Sequence, residues 1–371
     1  MLGSSLRILV VGAGIAGLAA ARALRLAGFR PQVVDKLPAS TVAGAGIYLP
    51  GNATRALREL DLDAPVRPCG EVVTRQRFLD SRGRQLCEVD LTTLWDGVGE
   101  CRALPRADLH RVMLSGAGGA VRHETEVTRV EVGSGETAKV EFGDGSSAEY
   151  DLVVGADGRR SSVRVMAALG SAAVPVGQVM YRSVVTGGPK ISEWTAVLGK
   201  RAAFVVMPMG AGRLFCYADE AGSTAPPDPM ARLREVFEGF GGPVPAVLDA
   251  IEIEKVQVAV TDEVEIASWS QGPVVLVGDA AHATAPTLAQ GAAMALEDAV
   301  VLAESIRRAA TVAEALAEYE LRRRPRTRWV LERTRDRDRL RDVAPTLRDP
   351  LLRRRGGTIF ADHYKALVGP H

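Results

Sequence analysis

The sequence predicts an α/β protein with two lobes: a nucleotide-binding lobe assembled from separate stretches of chain, and a mostly antiparallel β-sheet lobe inserted between them. Three observations favour this fold. The chain opens with an apolar strand, a glycine-rich turn and a helix; two later apolar strands also end in Gly and Asp; and a long β-rich stretch separates those two strands. A length of 371 residues is sufficient for two lobes.

The opening segment "ILVVGAGIAGLAAARAL" has the pattern of a dinucleotide-binding unit. Its apolar residues predict a buried strand over 6–11, a helix over 15–27 and a second strand over 31–34. A strand, a glycine turn and a helix in this order place the N-terminus of the helix against a phosphate group.

Each glycine of this turn has a separate physical purpose. Gly12 permits the tight turn, Gly14 lets a pyrophosphate approach the backbone, and Gly17 allows close packing of helix on strand. Asp35 follows Gly17 by 18 residues, near the ~20 expected for a carboxylate that binds a ribose 2′-hydroxyl, and it would repel a 2′-phosphate. The motif alone does not distinguish NAD from FAD.

The remaining elements are predicted from hydrophobic periodicity and turn residues. A Gly-rich segment leads to a helix whose N-cap is predicted at Asn52. The other predicted elements are antiparallel strands within 72–89 and 121–150, a β-rich stretch over 177–260 interrupted by a helix at 229–240, and helices over 291–308 and 311–341.

These elements divide into three predicted parts. The nucleotide-binding domain is expected to comprise residues 1–70, 100–176 and 265–341, the β-sheet domain residues 71–99 and 177–264, and a C-terminal tail residues 342–371.

Composition excludes several classes of function. A formal net charge of +1 gives no electrostatic reason to expect nucleic acid or an anionic membrane, and no apolar run is long enough to span a bilayer. The cysteines show neither CxxC nor metal-ligand spacing, which favours a reduced, cytoplasmic protein without a metal site. The arginine-rich segment "RRRPRTRWVLERTRDRDRL" alternates with acidic residues and predicts a solvated helix with i,i+4 pairs rather than a nucleic-acid site.

Two later strings carry a family resemblance. "DLVVGADGRRSSVR" begins at Asp151 and "GDAAHATAPTLAQGAAMALEDA" at Gly278, and each places Gly and Asp after a buried strand. In this order and spacing with the first motif, they make residues 6–341 resemble the flavoprotein aromatic hydroxylases, single-component FAD monooxygenases related to 4-hydroxybenzoate and salicylate hydroxylases. The resemblance implies a Rossmann-like, GR2-type FAD-binding lobe with an inserted substrate lobe.

The resemblance explains why the chain needs a second Gly-Asp turn. It implies that Asp279 contacts the ribityl and pyrophosphate region of FAD, while Asp157 supports the site and helps to bind the nicotinamide donor. Both aspartates could instead only form turns. Pro286 matches a family proline beside the isoalloxazine ring.

The resemblance also assigns the start of the helix at Gly291. Backbone N–H groups of Gly291 and Ala292 would stabilise the negative charge of reduced flavin. The family often has Asn two residues after this glycine, whereas this chain has Ala293, so a side-chain contact is lost. The other residues expected near FAD are Gly46 and Ile47 by the ring, Arg106 at a helix start, Val127 by the adenine, and Ala16 and Lys36 within the first motif.

The reaction that the resemblance implies requires a transient electron donor, NADH or NADPH, and O2. The reduced flavin would form a C4a-hydroperoxide that hydroxylates or epoxidises an aromatic or polyketide-like, polycyclic small molecule. Such chemistry needs a dry pocket above the ring, which the β-sheet lobe is expected to supply. Strand alternation does not fix which face is inward, so the candidate pocket residues are Tyr181, Phe204, Met207, Phe215 and Tyr217.

Candidate catalytic residues are Pro286, Tyr217 and Arg182. Tyr217 or Arg182 would contact or help to ionise a phenolic substrate, or would only form the pocket wall. His282 would shape its turn or transfer a proton. The alternatives are a flavin oxidase or dehydrogenase without oxygen transfer, and a flavin-binding partner protein that does not oxygenate, which Ala293 permits. The protein is expected to be a monomer or a homodimer.

Overall fold

The protein is described by a computed structural model over residues 5–41, 45–133 and 136–371. Residues 42–44, at the start of the predicted Gly-rich segment, and residues 134–135, in a predicted strand turn, lie outside the described residues. Within those ranges, no helix combines the length and the apolar character that crossing a membrane requires.

Within the described residues, strands and helices are mixed along the chain, with runs of consecutive strands in the middle and helices at the end. The strands are β1 (Ile8–Val11), β2 (Gln32–Val34), β3 (Gly46–Leu49), β4 (Glu71–Val72), β5 (Arg75–Asp80), β6 (Gln85–Asp90), β7 (Arg102–Pro105), β8 (Val121–Arg122), β9 (Val127–Val132), β10 (Ala138–Phe142), β11 (Ser147–Tyr150), β12 (Leu152–Gly155), β13 (Val174–Thr186), β14 (Trp194–Leu198), β15 (Ala202–Pro208), β16 (Arg213–Ala221), β17 (Gln257–Glu263), β18 (Ser270–Gln271) and β19 (Val274–Leu276). The helices are α1 (Ile15–Leu26), α2 (Gly51–Glu59), α3 (Asp63–Val66), α4 (Leu91–Leu94), α5 (Arg106–Gly116), α6 (Ser162–Met166), α7 (Pro229–Val236), α8 (Val244–Ala250), α9 (Asp279–His282), α10 (Gly291–Arg308), α11 (Val312–Asp342), α12 (Pro345–Asp362) and α13 (Lys365–Val368), with short 3₁₀ turns at Arg67–Cys69, Ile253–Lys255 and Pro286–Leu288.

A six-stranded sheet organises the nucleotide-binding part, in the order β18-β19-β12-β1-β2-β8. All its neighbours pair in parallel except β18 and β19. Its central strands are fully buried apolar runs, as expected for a parallel sheet covered on both faces. The predicted α/β fold is therefore confirmed, although the predicted antiparallel segment 121–150 begins with β8, which pairs in parallel with β2.

Asn52 does not cap its helix as predicted. Helix α2 already begins at Gly51, with Pro50 as its N-cap residue. The Asn52 amide is fully buried and donates to Glu297 Oε1 (2.9 Å) and Gln290 Oε1 (3.0 Å) instead. A buried carboxylate therefore competes successfully for the side chain that the sequence suggested as a cap.

A seven-stranded sheet, in the order β17-β13-β16-β15-β14-β5-β6, lies across from the carboxyl ends of the parallel strands. Its pairs are antiparallel except β14 with β5, which are parallel. One face of this sheet packs on α7 and α8 in a separate apolar core, and the other face looks toward the six-stranded sheet. Its strands come from residues 75–90 and 174–263.

Residues 342–371, which were expected to be a tail, form α12 and α13 and are packed into the molecule. Leu352 and Phe360 are buried, and Phe360 stacks on Phe78 of β5 with ring centroids 4.1 Å apart. Arg348 is also buried and donates to the carbonyl oxygens of Leu198 (3.1 Å) and Gly199 (2.5 Å) at the end of β14. These contacts make α12 part of the wall of the site.

The arginine-rich segment forms a helix, as predicted, but the prediction that this helix is solvated is wrong for three of its arginines. Helix α11 continues through Pro325 to Asp342. Arg323, Arg326 and Arg337 on this helix are nevertheless buried. Alternating charges in sequence do not reveal which helix positions face the interior, because the partners lie on α10, α12 and the sheets.

We expect His363, after α12, to make the protein less stable in acid. Burial and the nearby Arg337 lower the pKa of His363 to about 3, from an ordinary value of 6.5. Below pH 6.5, His363 therefore binds a proton in the unfolded chain but not in the folded chain. The contribution of His363 to the free energy of unfolding is fully present above pH 6.5 and is lost as the pH falls toward 3. Chemical denaturation of wild type and His363→Gln from pH 7 to 4 should show a difference in slope of up to about 1.4 kcal/mol per pH unit. Parallel curves would contradict the assignment.

Candidate active site

A cavity lies at the carboxyl ends of the parallel strands, between the six-stranded sheet and the inner face of the seven-stranded sheet. Strands β1, β12 and β19 each end in a glycine-containing turn at this edge. On the nucleotide side the cavity is lined by Gly14, Ile15, Ala16, Gly46, Ile47, Arg106, Gly158, Asp279, Pro286, Gly291 and Ala292. Ligands bind at this edge in open α/β sheets because loops and helix N-termini converge there.

The first glycine turn shows where packing is tight and where space is left. A Cβ on Gly12 would lie 2.5 Å from the carbonyl oxygen of Ala156, and Gly12 has a φ of +108°. A Cβ on Gly17 would lie 1.8 Å from the oxygen of Gly12. A Cβ on Gly14 would meet no protein atom within 4 Å, so the turn leaves open space only at the residue facing the cavity.

Asp35 holds the first turn by its carboxylate. One oxygen accepts from the Ala13 N–H (2.6 Å) and the other from the Leu37 N–H (2.8 Å). Lys36 is exposed beside it, and Val127 is buried at the start of β9. None of these three residues lines the cavity, so their contacts with a cofactor remain predictions.

The "GADG" turn after β12 leaves a polar atom without a partner. Asp157 Oδ2 accepts from the N–H groups of Ser162 (2.7 Å) and Val163 (3.1 Å) at the start of α6. Asp157 Oδ1 is buried and has no hydrogen-bond partner within the described ranges. A buried carboxylate oxygen without a partner is costly, which favours a donor on a bound ligand or water.

The second Gly-Asp turn is held from beneath by Asp298 of α10. Asp298 Oδ2 accepts from the Gly278 N–H (2.9 Å) and lies 2.6 Å from His282 Nε2, while Gly278 has a φ of +60°. This contact favours the shaping of the turn by His282 over proton transfer. Asp279 itself projects into the cavity.

A buried ionic network supports α10 and the second turn together. Arg323 donates to Glu297 (2.7 Å) and Asp298 (2.8 Å), and Arg326 donates to Glu297 (2.6 Å). Burial alone would raise both carboxyl pKa values. Arg323 and Arg326 nevertheless lower the pKa of Glu297 to about 2, and His282 and Arg323 lower the pKa of Asp298 to about 2. The network therefore stays charged at neutral pH.

The N-terminus of α10 points at the cavity. Gly291 and Ala292 begin this 18-residue helix and line the cavity, and its N-cap residue Gln290 provides no side-chain cap. The unpaired N–H groups of a helix start favour negative charge. Pro286 lines the same cavity in the turn before the helix.

These observations fit FAD. Gly14, where space is open, Asp279 at the second turn and the uncapped helix start at Gly291 line a single cavity, and the Asp157 oxygen without a partner lies next to Gly158, which lines the same cavity. Arg106 is half-buried and adds a cation to the cavity wall: desolvation lowers its pKa and the nearby Asp279 counteracts that effect.

The opposite wall of the cavity is apolar and comes from alternate positions of the large sheet. Met207, Phe215 and Tyr217 line the cavity, together with Met180 and Val205. Tyr181 and Phe204 do not, so their assignment to the pocket is corrected. Both belong to the core on the other face of the sheet, where Tyr181 donates to Glu220 Oε1 (2.6 Å). The register pairs Met207 with Phe215 and Phe204 with Ala218, which separates the two faces.

Tyr217 and Arg182 both reach the cavity from neighbouring positions of β16 and β13. Tyr217 donates to Asp219 Oδ2 (2.7 Å), and Asp219 in turn pairs with Arg341. Burial and the Asp219 charge raise the pKa of Tyr217 well above its usual value. Burial, with Arg106 and Arg159 nearby, lowers the pKa of Arg182, whose Nε has no partner within the described ranges.

Sequence reasoning missed the residues that α11 and α12 bring to the cavity. Arg337, Leu340 and Arg341 lie on one side of α11, Phe360 lies on α12, and Tyr364 lies between α12 and α13. Thr287, beside Pro286, also donates to Asp338 of α11 (2.7 Å). The only available signal was the spacing of Arg337, Leu340 and Arg341 on one helix face.

Known proteins resemble this chain over most of its length. The chain matches the family described as FAD binding domain over residues 5–334. It is 30% identical to an aurachin C monooxygenase/isomerase of Stigmatella aurantiaca, over 85% of each chain, and 32% identical to an FAD-dependent urate hydroxylase of Klebsiella pneumoniae, over 90% of this chain and 89% of that one. The crystal structure of Klebsiella pneumoniae HpxO complexed with FAD and uric acid superposes with a TM-score of 0.88 and 27% identity, covering 98% of this chain and 97% of that one.

The family match covers most of the chain and includes all three glycine turns that meet at the cavity. The chain therefore belongs to the FAD binding domain family and is one of the single-component, FAD-dependent aromatic monooxygenases that its sequence resembles.

Proposed function

We propose that the enzyme uses NADH or NADPH and O2 to insert one oxygen atom into an aromatic or polycyclic small molecule. The observation that carries this proposal is the shared cavity: the glycine turns and the α10 N-terminus line one wall, and apolar side chains of the large sheet line the other. A ring bound there would face the cofactor and be shielded from water. The free thiols of the four cysteines support a cytoplasmic location.

The residues that would hold FAD follow the cavity. Gly14 and Ala16 would meet the pyrophosphate, Asp279 the ribityl region, and Pro286 and Gly291 the ring. When bound, the flavin supplies the redox chemistry: it accepts hydride from the donor and activates O2. The protein must bind, orient and exclude water.

The uncapped backbone N–H groups at the start of α10 would stabilise negative charge on the flavin ring, and this effect requires no polar side chain at Ala293. This contribution needs only backbone, so the absence of Asn at Ala293 leaves it intact. Met207 and Phe215 would exclude water from the reacting face.

Tyr217 and Arg182 would act on a phenolic substrate. Because the Tyr217 hydroxyl already donates to Asp219, its oxygen is free to accept a hydrogen bond from a substrate hydroxyl. The Arg182 guanidinium would stabilise the phenolate that forms, because it carries a positive charge with little compensation nearby. An ionised phenol is more electron-rich and reacts more readily with an electrophilic oxygen.

The proposed function is tested by mixing the FAD-loaded protein with NADH and then with NADPH, with and without a panel of phenols. We expect the visible flavin band to bleach, bleaching to accelerate with at least one phenol, and hydroxylated product to appear. Hydrogen peroxide as the only product would indicate an oxidase, and no bleaching with either donor would indicate a non-catalytic flavin-binding protein.

We expect Tyr217→Phe to lower the turnover of phenolic substrates about 10²-fold near neutral pH, with a smaller loss at a pH where the phenol ionises unaided. The reason is that Phe cannot accept the substrate proton or pass it toward Asp219. The measurement is the pH profile of kcat, with the FAD dissociation constant as the control. A loss that is equal at every pH would contradict a role in ionisation.

A further inference from the structure

The outer face of α12 carries exposed apolar side chains. Leu347 is 72% exposed and Leu351, one helical turn later, is 42% exposed, while Val343 just before the helix is 38% exposed. The opposite face of the helix packs into the molecule through Arg348, Leu352, Gly356 and Phe360, which are buried. Single exposed apolar residues are ordinary, whereas a group of them at this spacing indicates a surface that binds another apolar surface.

Exposed cations lie beside these leucines, on α12 itself and on two turns that pack against it. Arg354 and Arg355 follow Leu351 by three and four residues, so they lie on the same side of the helix. Arg348 joins α12 to the turn after β14 through the carbonyl oxygen of Gly199 (2.5 Å), and an ion pair between Arg353 and Asp80 (3.0 Å) joins α12 to the turn after β5. The exposed cations of these three segments are Arg82, Arg84, Lys200, Arg201, Arg353, Arg354 and Arg355.

Few carboxylates neutralise these cations. Asp80 pairs with both Arg84 and Arg353, and Asp342 pairs with Arg201. In the part of the chain that the structure describes, the remaining cations of the group form no ion pair: Arg82, Lys200, Arg354 and Arg355. The formal net charge of the whole chain, +1, therefore conceals a local positive excess around exposed leucines.

We propose that Leu347, Leu351 and the surrounding exposed cations, which together we call the α12 patch, bind the surface of an anionic lipid membrane. The leucines enter the boundary between headgroups and acyl chains, and the arginines bind the lipid phosphates. Charge argues against a second copy of the chain as the partner, because two such patches would bring like charges together. A soluble polyanion would bind the cations but leave the leucines in water.

Binding by the α12 patch brings one wall of the flavin cavity close to the bilayer, because Arg348 and Phe360 on the opposite face of α12 line that cavity. An enzyme held in this way would act on aromatic compounds that dissolve in lipid. This consequence for the substrate rests on the proposed function, whereas membrane binding itself depends only on the outer surface of α12.

The test measures sedimentation of the FAD-loaded enzyme with vesicles of phosphatidylcholine alone and with vesicles that also contain phosphatidylglycerol. We expect wild type to bind the anionic vesicles at least about tenfold more tightly, and high salt to remove this difference. A cation near an anionic membrane contributes roughly fivefold in affinity, so Arg354→Glu with Arg355→Glu should weaken binding by at least about 25-fold. Leu347→Ser with Leu351→Ser should weaken it by at least about tenfold, because less apolar surface leaves water.

Leu321→Ser with Arg328→Glu is the matched control, since both residues are exposed on α11 and lie outside the α12 patch. This control should bind vesicles as wild type does, and all variants should keep their FAD content.

Three results would overturn the membrane surface: no preference of wild type for anionic vesicles, equal losses in the control, or undiminished binding by the leucine variant, which would indicate a site for soluble polyanions. Self-association of the enzyme that the leucine variant abolishes, without vesicle binding, would assign the α12 patch to a second copy instead. Oxidation of a water-soluble phenol without vesicles tests the proposed function separately. If vesicles are bound but no phenol is oxidised, the proposed function fails and the membrane surface stands.

Discussion

Replacing Arg323 with methionine is expected to destabilise the protein by about 3–5 kcal/mol and to lower its FAD content. Arg323 is fully buried and neutralises both Glu297 and Asp298. Its loss leaves two carboxylates deprived of their shared cation, and Asp298 also holds the Gly278 N–H of the second cofactor turn. Urea denaturation gives the change in the free energy of unfolding, and the flavin-to-protein absorbance ratio gives the cofactor content.

Arg339→Met is the matched control, because Arg339 lies on the same helix, is largely exposed and pairs only with Asp336 in the described structure. Its cost should not exceed about 1 kcal/mol. The double variant Arg323→Met with Glu297→Gln should lose less free energy of unfolding than the two single variants lose together, because Glu297→Gln removes one of the carboxylates that Arg323→Met leaves without its cation. Equal costs for Arg323→Met and Arg339→Met would contradict a role for the buried network.

Gly14→Val is expected to weaken FAD binding by at least about tenfold without lowering the stability of the apoprotein. A side chain at residue 14 meets no protein atom within 4 Å and would occupy the space that the pyrophosphate needs. The measurement is a fluorescence titration of apoprotein with FAD, beside a thermal melt of the apoprotein.

Gly12→Ala should show the opposite pattern. Its Cβ would lie 2.5 Å from the backbone oxygen of Ala156, in a left-handed conformation, so the apoprotein itself should be less stable. The two variants separate glycines required by the fold from the glycine required by the ligand. Wild-type FAD affinity in Gly14→Val would show that the cofactor does not approach this turn.

Much of the cofactor site was predictable because its residues are local in sequence. Gly12, Gly14 and Gly17 form one turn, and Asp279 and Gly291 belong to a single string, so strand–turn–helix chemistry alone indicates their roles. The structure brings Gly14, Asp279 and Gly291 to one cavity, as that reading requires.

The substrate wall was less predictable because it depends on the pairing of distant strands. Tyr181 and Phe204 were as plausible as Met207 and Phe215 until the register of β13, β15 and β16 fixed the faces. Arg337 was hidden for a similar reason. Its helix reads as solvated, but Phe78 of β5 and Phe360 of α12 pack against this side chain, which is buried.

The central claim is that one cavity holds the flavin ring beside an aromatic substrate, and the most direct measurement is the visible spectrum of the bound flavin during titration with aromatic compounds. The account predicts a yellow, FAD-loaded protein whose flavin band shifts in a saturable way with at least one of these compounds. A protein that does not bind added FAD, or one whose flavin spectrum is unchanged by every aromatic compound, would contradict the account.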